Sequence, residues 1–242
     1  MSSTDTNNKF AVCCRGITKS YGTGPARVVA LRGVDLDVRY GELLLVVGPS
    51  GCGKTTLISI ISAILEQDEG ECEVLGQDLS IIKQTEKVHF RGKSIGFVFQ
   101  LFNLLPALTA LENVAVPLLI SGFSRKSAKK QAEAMLEMVG LESRADALPS
   151  QLSAGQQQRV AIARAVVHSP NLIVCDEPTS NLDHKTGHEM MTVLRDLVQS
   201  ANKTLIIVTH DNRILEFADR IARMDDGKIV EVGTGKEGRQ ML

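Results

Sequence analysis

An α/β chain with parallel central strands, an antiparallel β part at its N-terminus and a helical subdomain in its middle is predicted by three patterns. Continuous apolar runs at 43–47, 172–174 and 205–208 suit parallel strands buried on both faces. Val34-Asp35-Leu36-Asp37-Val38 alternates apolar and polar residues, as a strand with one wet face does. From Thr109 to Val167 the apolar residues recur at helical spacing, with Ala128, Ala132, Met135, Leu136 and Val139 on one face.

Taken in order, residues 1–9 are polar and lack the basic and apolar blocks of a secretory leader, so they read as a tail. The first third reads as largely antiparallel β, and the strand 42–47 then delivers the chain to Gly48. A helix begins near Lys54, followed by short strands at 71–75 and 94–99. The most apolar long segment, 101–120, is interrupted by Asn103, Pro106, Glu112, Asn113 and Pro117, and no stretch suits a bilayer span. Beyond the helical region, the runs 172–174 and 205–208 flank a helix with Met190, Leu194, Leu197 and Val198 at helical spacing, a βαβ unit. A hairpin closes the chain, pairing 220–224 with 228–232 around Asp225-Asp226-Gly227. The expected organisation is one domain over 10–233, with the helical subdomain at about 101–167 and tails at 1–9 and 234–242.

Charge and cysteines exclude some functions. Lys and Arg number 27 against 28 Asp and Glu, which leaves no global basic field for nucleic acid or an anionic membrane surface. Cys13, Cys14, Cys52, Cys72 and Cys175 are odd in number and lack paired CxxC spacing, so reduced thiols in a cytosolic compartment are expected rather than a disulfide framework or a zinc site.

The run Gly48-Pro49-Ser50-Gly51-Cys52-Gly53-Lys54-Thr55, with Thr56 next, has the spacing of a loop that wraps nucleotide phosphates. Glycines admit close backbone N–H groups, and the following helix points its positive end at the same place. Lys54 is expected at the β- and γ-phosphates, and Thr55 offers a hydroxyl to Mg²⁺. Leu172-Ile173-Val174-Cys175-Asp176-Glu177 is a hydrophobic strand ending in two carboxylates, where Asp176 can order the Mg²⁺ shell and Glu177 can face the attacking water. These two motifs make the fold class a P-loop NTPase core.

Leu152-Ser153-Ala154-Gly155-Gln156, followed by Gln157-Gln158-Arg159 and a helix, resembles the signature motif of ABC transporter nucleotide-binding subunits, and by itself Ser153 reads equally as an N-cap. The resemblance runs from Phe10 to about Gly233 with the motifs in family order, and its loops look most like the lipoprotein-release, macrolide-export and cell-division branch. It implies that Tyr21 stacks on adenine, that Gln100 touches Mg²⁺ and the attacking water, and that His210 contacts the γ-phosphate. It further implies that Ser153, Gly155 and Gln156 meet the ATP held by a second copy, and that Asp183 lies in the loop joining the two. Glu177, Gln100 and His210 are then the catalytic residues, Thr55, Gln100 and Asp176 hold Mg²⁺, and ATP is the ligand. The implied partners are a second copy and integral membrane permease subunits, docked on 101–120 at the cytoplasmic face of the inner membrane, with export or extraction as the work and no nucleic acid bound. An ATP-gated regulator of a cell-envelope complex and a soluble ATPase of the same type remain as alternatives. Ala154 stands where the family usually has a glycine, and a positive φ there would strain it.

Overall fold

The computed structural model describes residues 9–238, and within them the side chains of 197–201 fall outside the description. The tail expectations for 1–8 and 239–242, and the side-chain placement of Leu197 and Val198, therefore lie outside the described residues.

Two sheets sandwich one helix. The first is antiparallel, in the order β2 (Val28–Arg39), β1 (Phe10–Tyr21), β4 (Glu69–Val74), β5 (Gln77–Asp78). The second has the order β10 (Lys228–Thr234), β9 (Arg220–Asp225), β3 (Leu43–Val47), β8 (Thr204–Thr209), β7 (Leu172–Asp176), β6 (Ile95–Val98). Every pairing in it is parallel except the β9–β10 hairpin. β3, β7 and β8 are buried at every position, which is why they read as unbroken apolar runs.

α1 (Lys54–Ile61) fills the space between the sheets. Its Leu57, Ile58, Ile60 and Ile61 pack with Val12, Leu31 and Val34 on one side and with Leu44, Val46 and Ile206 on the other. The opposite face of the parallel sheet is covered by α5 (Ala154–Val166) and α6 (His184–Ala201), through Ile162, Met190, Met191 and Leu194. A third core joins α3 (Ala110–Ile120), α4 (Arg125–Met138) and α5, where Ala128, Ala132, Leu136 and Val139 are buried as their spacing predicts. α5 belongs to two cores: Val160 and Ala163 face the helical subdomain, while Ile162 and Ala165 face the sheet.

Two elements differ from expectation. Between the short strands lies α2 (Gln84–Ser94), whose polar sequence buries only Lys87, an ammonium 2.7 Å from Glu66. So weak an apolar stripe gives little helical signal. At the C-terminal end, Thr234 closes β10 and a short α7 (Gly235–Gly238) follows.

Candidate active site

The C-terminal ends of β3, β7 and β8 lie side by side, with Val47 opposite Thr209 and Asp176 opposite Val208. Whatever follows these strands is gathered at one edge of the sheet, the usual ligand crevice of an open α/β fold. Here that means the loop 48–53, the pair Asp176–Glu177 and His210.

The loop is shaped by its glycines in two ways. Gly51 has φ +81° with open space around its α-carbon, so its need is conformational. Gly53 has φ +104°, and a Cβ there would also strike the carbonyl oxygen of Ala30. α1 then opens at Lys54, which is 6% exposed. Its ammonium donates to the carbonyls of Gly48 at 2.8 Å and Pro49 at 2.9 Å, and no carboxylate lies within ion-pair distance among the described residues. A buried cation with no carboxylate beside it is left uncompensated and is ready for an anion. Cys52 is buried beneath the loop, with its sulfur 4.0 Å from the same ammonium. Ser50 is exposed at the loop's tip.

Thr55 donates its hydroxyl to Asp176 Oδ1 at 3.2 Å. Burial pushes the Asp176 carboxyl above the usual carboxylate range, with the Thr55 bond and the Lys54 charge pulling the other way. Glu177 is next in the chain and has φ +46°, a left-handed conformation rare outside glycine. Its N–H donates to Val208 O at 2.9 Å, and its carbonyl accepts from the Ser180 hydroxyl at 3.0 Å, which hold the strained turn. The Glu177 carboxylate joins two other elements: Gln100 Nε2 donates to one oxygen at 3.2 Å, and His210 Nδ1 lies 2.8 Å from the other. Tyr21, 44% exposed at the end of β1, approaches Thr56 Oγ1 with its hydroxyl at 3.3 Å.

The remaining predicted residues gather elsewhere. Ser153 is the N-cap of α5: its Oγ accepts from Gln156 N at 3.3 Å, and Gln156 Oε1 accepts from Ser153 N at 3.0 Å, a reciprocal capping box. Asp183 stands just before α6 and accepts from Thr186 N at 3.1 Å and Thr186 Oγ1 at 2.7 Å. Gly155 sits against that turn, and a Cβ on it would come within 2.7 Å of Thr186 Cγ2. Ser153, Gly155, Gln156 and Asp183 line one surface cavity of about 440 Å³ that includes no residue of the 48–55 loop. The expected strain at Ala154 is absent, because Ala154 is the first residue of α5 and is not among the positive-φ residues.

Sequence reasoning missed the supports around Gln100. Asn181 Nδ2 donates to Gln100 O at 3.3 Å, and Thr179, buried, donates to Asp211 at 2.9 Å. Arg164 of α5 donates to the carbonyls of Phe102 and Asn103. Asn181 lies in the loop that the resemblance singles out with Asp183, but the bonds themselves join positions far apart in the chain, which no local pattern reveals.

Fold and site together define a P-loop ATPase with a phosphate loop, a paired carboxylate and a second, separate helix N-terminus. A family model described as ABC transporter matches residues 31–180, and the chain belongs to that family. It is 42% identical over 225 residues to a lipoprotein-releasing system ATP-binding protein, LolD, of Pseudomonas syringae pv. tomato, covering 93% of this chain and 99% of that protein. It is 45% identical over 215 residues to a macrolide export ATP-binding/permease protein, MacB, of Chlorobaculum tepidum, covering 89% of this chain but 33% of that longer one. Among solved structures, the dimeric post-hydrolysis state of the ATP-binding cassette MJ0796 bound to ADP and Pi matches with a TM-score of 0.87 and 40% identity, over 92% of this chain and 98% of that one.

Proposed function

We propose how this ATP-binding and ATP-hydrolysing ABC transporter subunit divides its work among the residues described above. The 48–55 loop and Lys54 hold the β- and γ-phosphates of ATP, and Tyr21 lies against the adenine. Glu177 polarises the attacking water as general base, Gln100 orients it, and His210 meets the γ-phosphate. The observation that carries this reading is the Gln100–Glu177–His210 contact at the sheet's C-terminal edge, beside the phosphate loop.

The donor set fits Mg²⁺. Thr55 and Asp176, hydrogen-bonded to each other, and Gln100 offer a few oxygen ligands. That suits a cation that keeps waters and takes its other ligands from phosphates. Bound there, Mg²⁺ would neutralise triphosphate charge.

Ser153, Gly155 and Gln156 form the other half of the site, contributed by a second copy in a head-to-tail pair that encloses two ATP molecules. ATP that touches both copies favours the closed pair, and turning a mostly open population into a mostly closed one takes roughly 5.5 kcal/mol of differential affinity. Hydrolysis removes the γ-phosphate contacts and reopens it.

No described helix is long and apolar enough to cross a membrane. The chain meets the bilayer through permease subunits. A groove of about 510 Å³ between α3 and α4, lined by Leu108, Leu111, Ala115, Val116 and Leu119, receives them. The chain thus works at the cytoplasmic face of the inner membrane, and export or extraction is the direction that the relatives favour.

Glu177→Gln tests the reading. Turnover falls by roughly 10²- to 10⁴-fold, ATP binding persists, and ATP-locked dimers accumulate on size exclusion. Hydrolysis at the wild-type rate would remove Glu177 from the role of base.

A further inference from the structure

Arg164, in α5, is half-buried, and its burial pushes the guanidinium pKa down. It forms no ion pair with a carboxylate among the described residues. Its guanidinium instead forks onto two consecutive carbonyls, with Nη2 donating to Phe102 O at 2.7 Å and Nη1 to Asn103 O at 2.6 Å. Those two residues have φ +56° and +47°. Two adjacent non-glycine residues in the left-handed region, one of them aromatic, form a strained turn that the surrounding structure must impose.

The turn begins two residues after Gln100, whose side chain reaches Glu177 and whose carbonyl accepts from Asn181. Arg164 lies near the C-terminal end of α5, about 16 Å along the axis from the Ser153 cap at the other end. One helix therefore presents the predicted signature to the second copy at its start and grips the Gln100 loop near its finish.

We infer that Arg164 is a positioning residue for hydrolysis: it clamps the left-handed Phe102–Asn103 turn so that Gln100 reaches Glu177, and it ties that loop to movement of the signature helix. The fork geometry matters because a guanidinium presents parallel donors to two acceptors, whereas an ammonium is a single point of charge. The inference rests on the reading of Gln100 and Glu177 given above.

The test uses the full chain and steady-state ATPase kinetics, with thermal melting to confirm folding. Arg164→Lys retains the charge and loses the fork. kcat falls by roughly tenfold or more, while KM for ATP stays within about threefold because the phosphate loop is untouched. Combining it with Gln100→Ala lowers kcat no further than Gln100→Ala alone, since one residue acts through the other. Adding Asn103→Gly to Arg164→Lys restores part of the lost kcat, because glycine adopts the left-handed turn without a clamp.

A purely structural arginine gives a different pattern: the two losses multiply, KM moves with kcat, and Asn103→Gly rescues nothing. Any of these overturns the inference. Should Gln100→Ala alone keep the wild-type kcat, the role of Gln100 fails, and the Arg164 inference fails with it. A harmful Gln100→Ala that multiplies with Arg164→Lys defeats the inference alone. If Arg164→Lys melts too low for assay, Asn103→Gly must recover both folding and kcat in the double variant, and recovery of folding without kcat overturns the inference.

Discussion

The phosphate loop and the signature turn are both helix N-termini shaped by glycine, yet they are built to opposite specifications. At α1 the key cation is buried, paired with no carboxylate among the described residues, and surrounded by strand ends. At α5 Ser153 is exposed and Gln156 half-buried, and the two are already bonded to each other through their capping box. With its cation uncompensated, the first half would, in the proposed cycle, grip a triphosphate alone. The second is content in water and gains from a phosphate only by exchanging its cap bonds, a trade that suits a contact made and broken in each cycle.

The sharpest way to break this comparison is to separate capping from anion contact. Asp is as good an N-cap as Ser, so Ser153→Asp leaves the melting temperature nearly unchanged, while its charge would oppose the γ-phosphate that the proposed pair brings to this turn. Like charges at an interface cost several kcal/mol, which predicts loss of ATP-induced dimers and a fall in kcat of roughly 10²-fold or more. ATP affinity of the separated subunit stays as in the wild type. Dimers that still form would show that Ser153 only caps its helix.

At the other half, Lys54→Ala removes the buried cation. Charged hydrogen bonds of this kind contribute about 1.5–3 kcal/mol, so nucleotide affinity measured by calorimetry weakens by roughly 10- to 150-fold. Unaltered affinity would contradict the contrast at its root. The signature half is untouched by this change, so Ser153→Asp and Lys54→Ala fail at different stages, one at closure and one at binding.

Gly155 tests a smaller effect and a different cause. A methyl group there meets Thr186 Cγ2 at 2.7 Å, within the chain's own turn rather than against any phosphate. Overpacking of this sort costs about 1–3 kcal/mol, read as a lower melting temperature for Gly155→Ala. Thr186→Ser removes the offending methyl group but keeps the hydroxyl bonded to Asp183, and the double variant regains most of the loss. A double variant as unstable as Gly155→Ala would place the constraint elsewhere.

How much of this was legible in the chain depends on whether chemistry or packing sets each residue. The buried strands β3, β7 and β8 announce themselves as apolar runs, and the carboxylates sit where such a strand ends. α2 was silent because its one buried side chain is a lysine. The left-handed Glu177 was silent too, since nothing in a glutamate indicates φ +46° when the strain is imposed by bonds to Val208 and Ser180. Arg164 lies 61 positions from the loop it holds, a distance no local pattern spans.

Ala154 is where the sequence suggested a fault and the backbone shows none. A glycine is demanded only where φ is positive or a Cβ has no room, and Ala154 is the first residue of α5, outside the left-handed set. Replacing it with glycine therefore relieves nothing. Glycine costs up to about 0.5–1 kcal/mol relative to alanine inside a helix, and less in its first turn, so Ala154→Gly lowers the melting temperature slightly. ATPase activity then changes by less than about twofold, since less than 0.4 kcal/mol is at stake in the transition state. A several-fold gain in kcat would mean that closure drives this turn into a conformation the separate subunit does not adopt, making Ala154 a brake on the cycle rather than a neutral replacement.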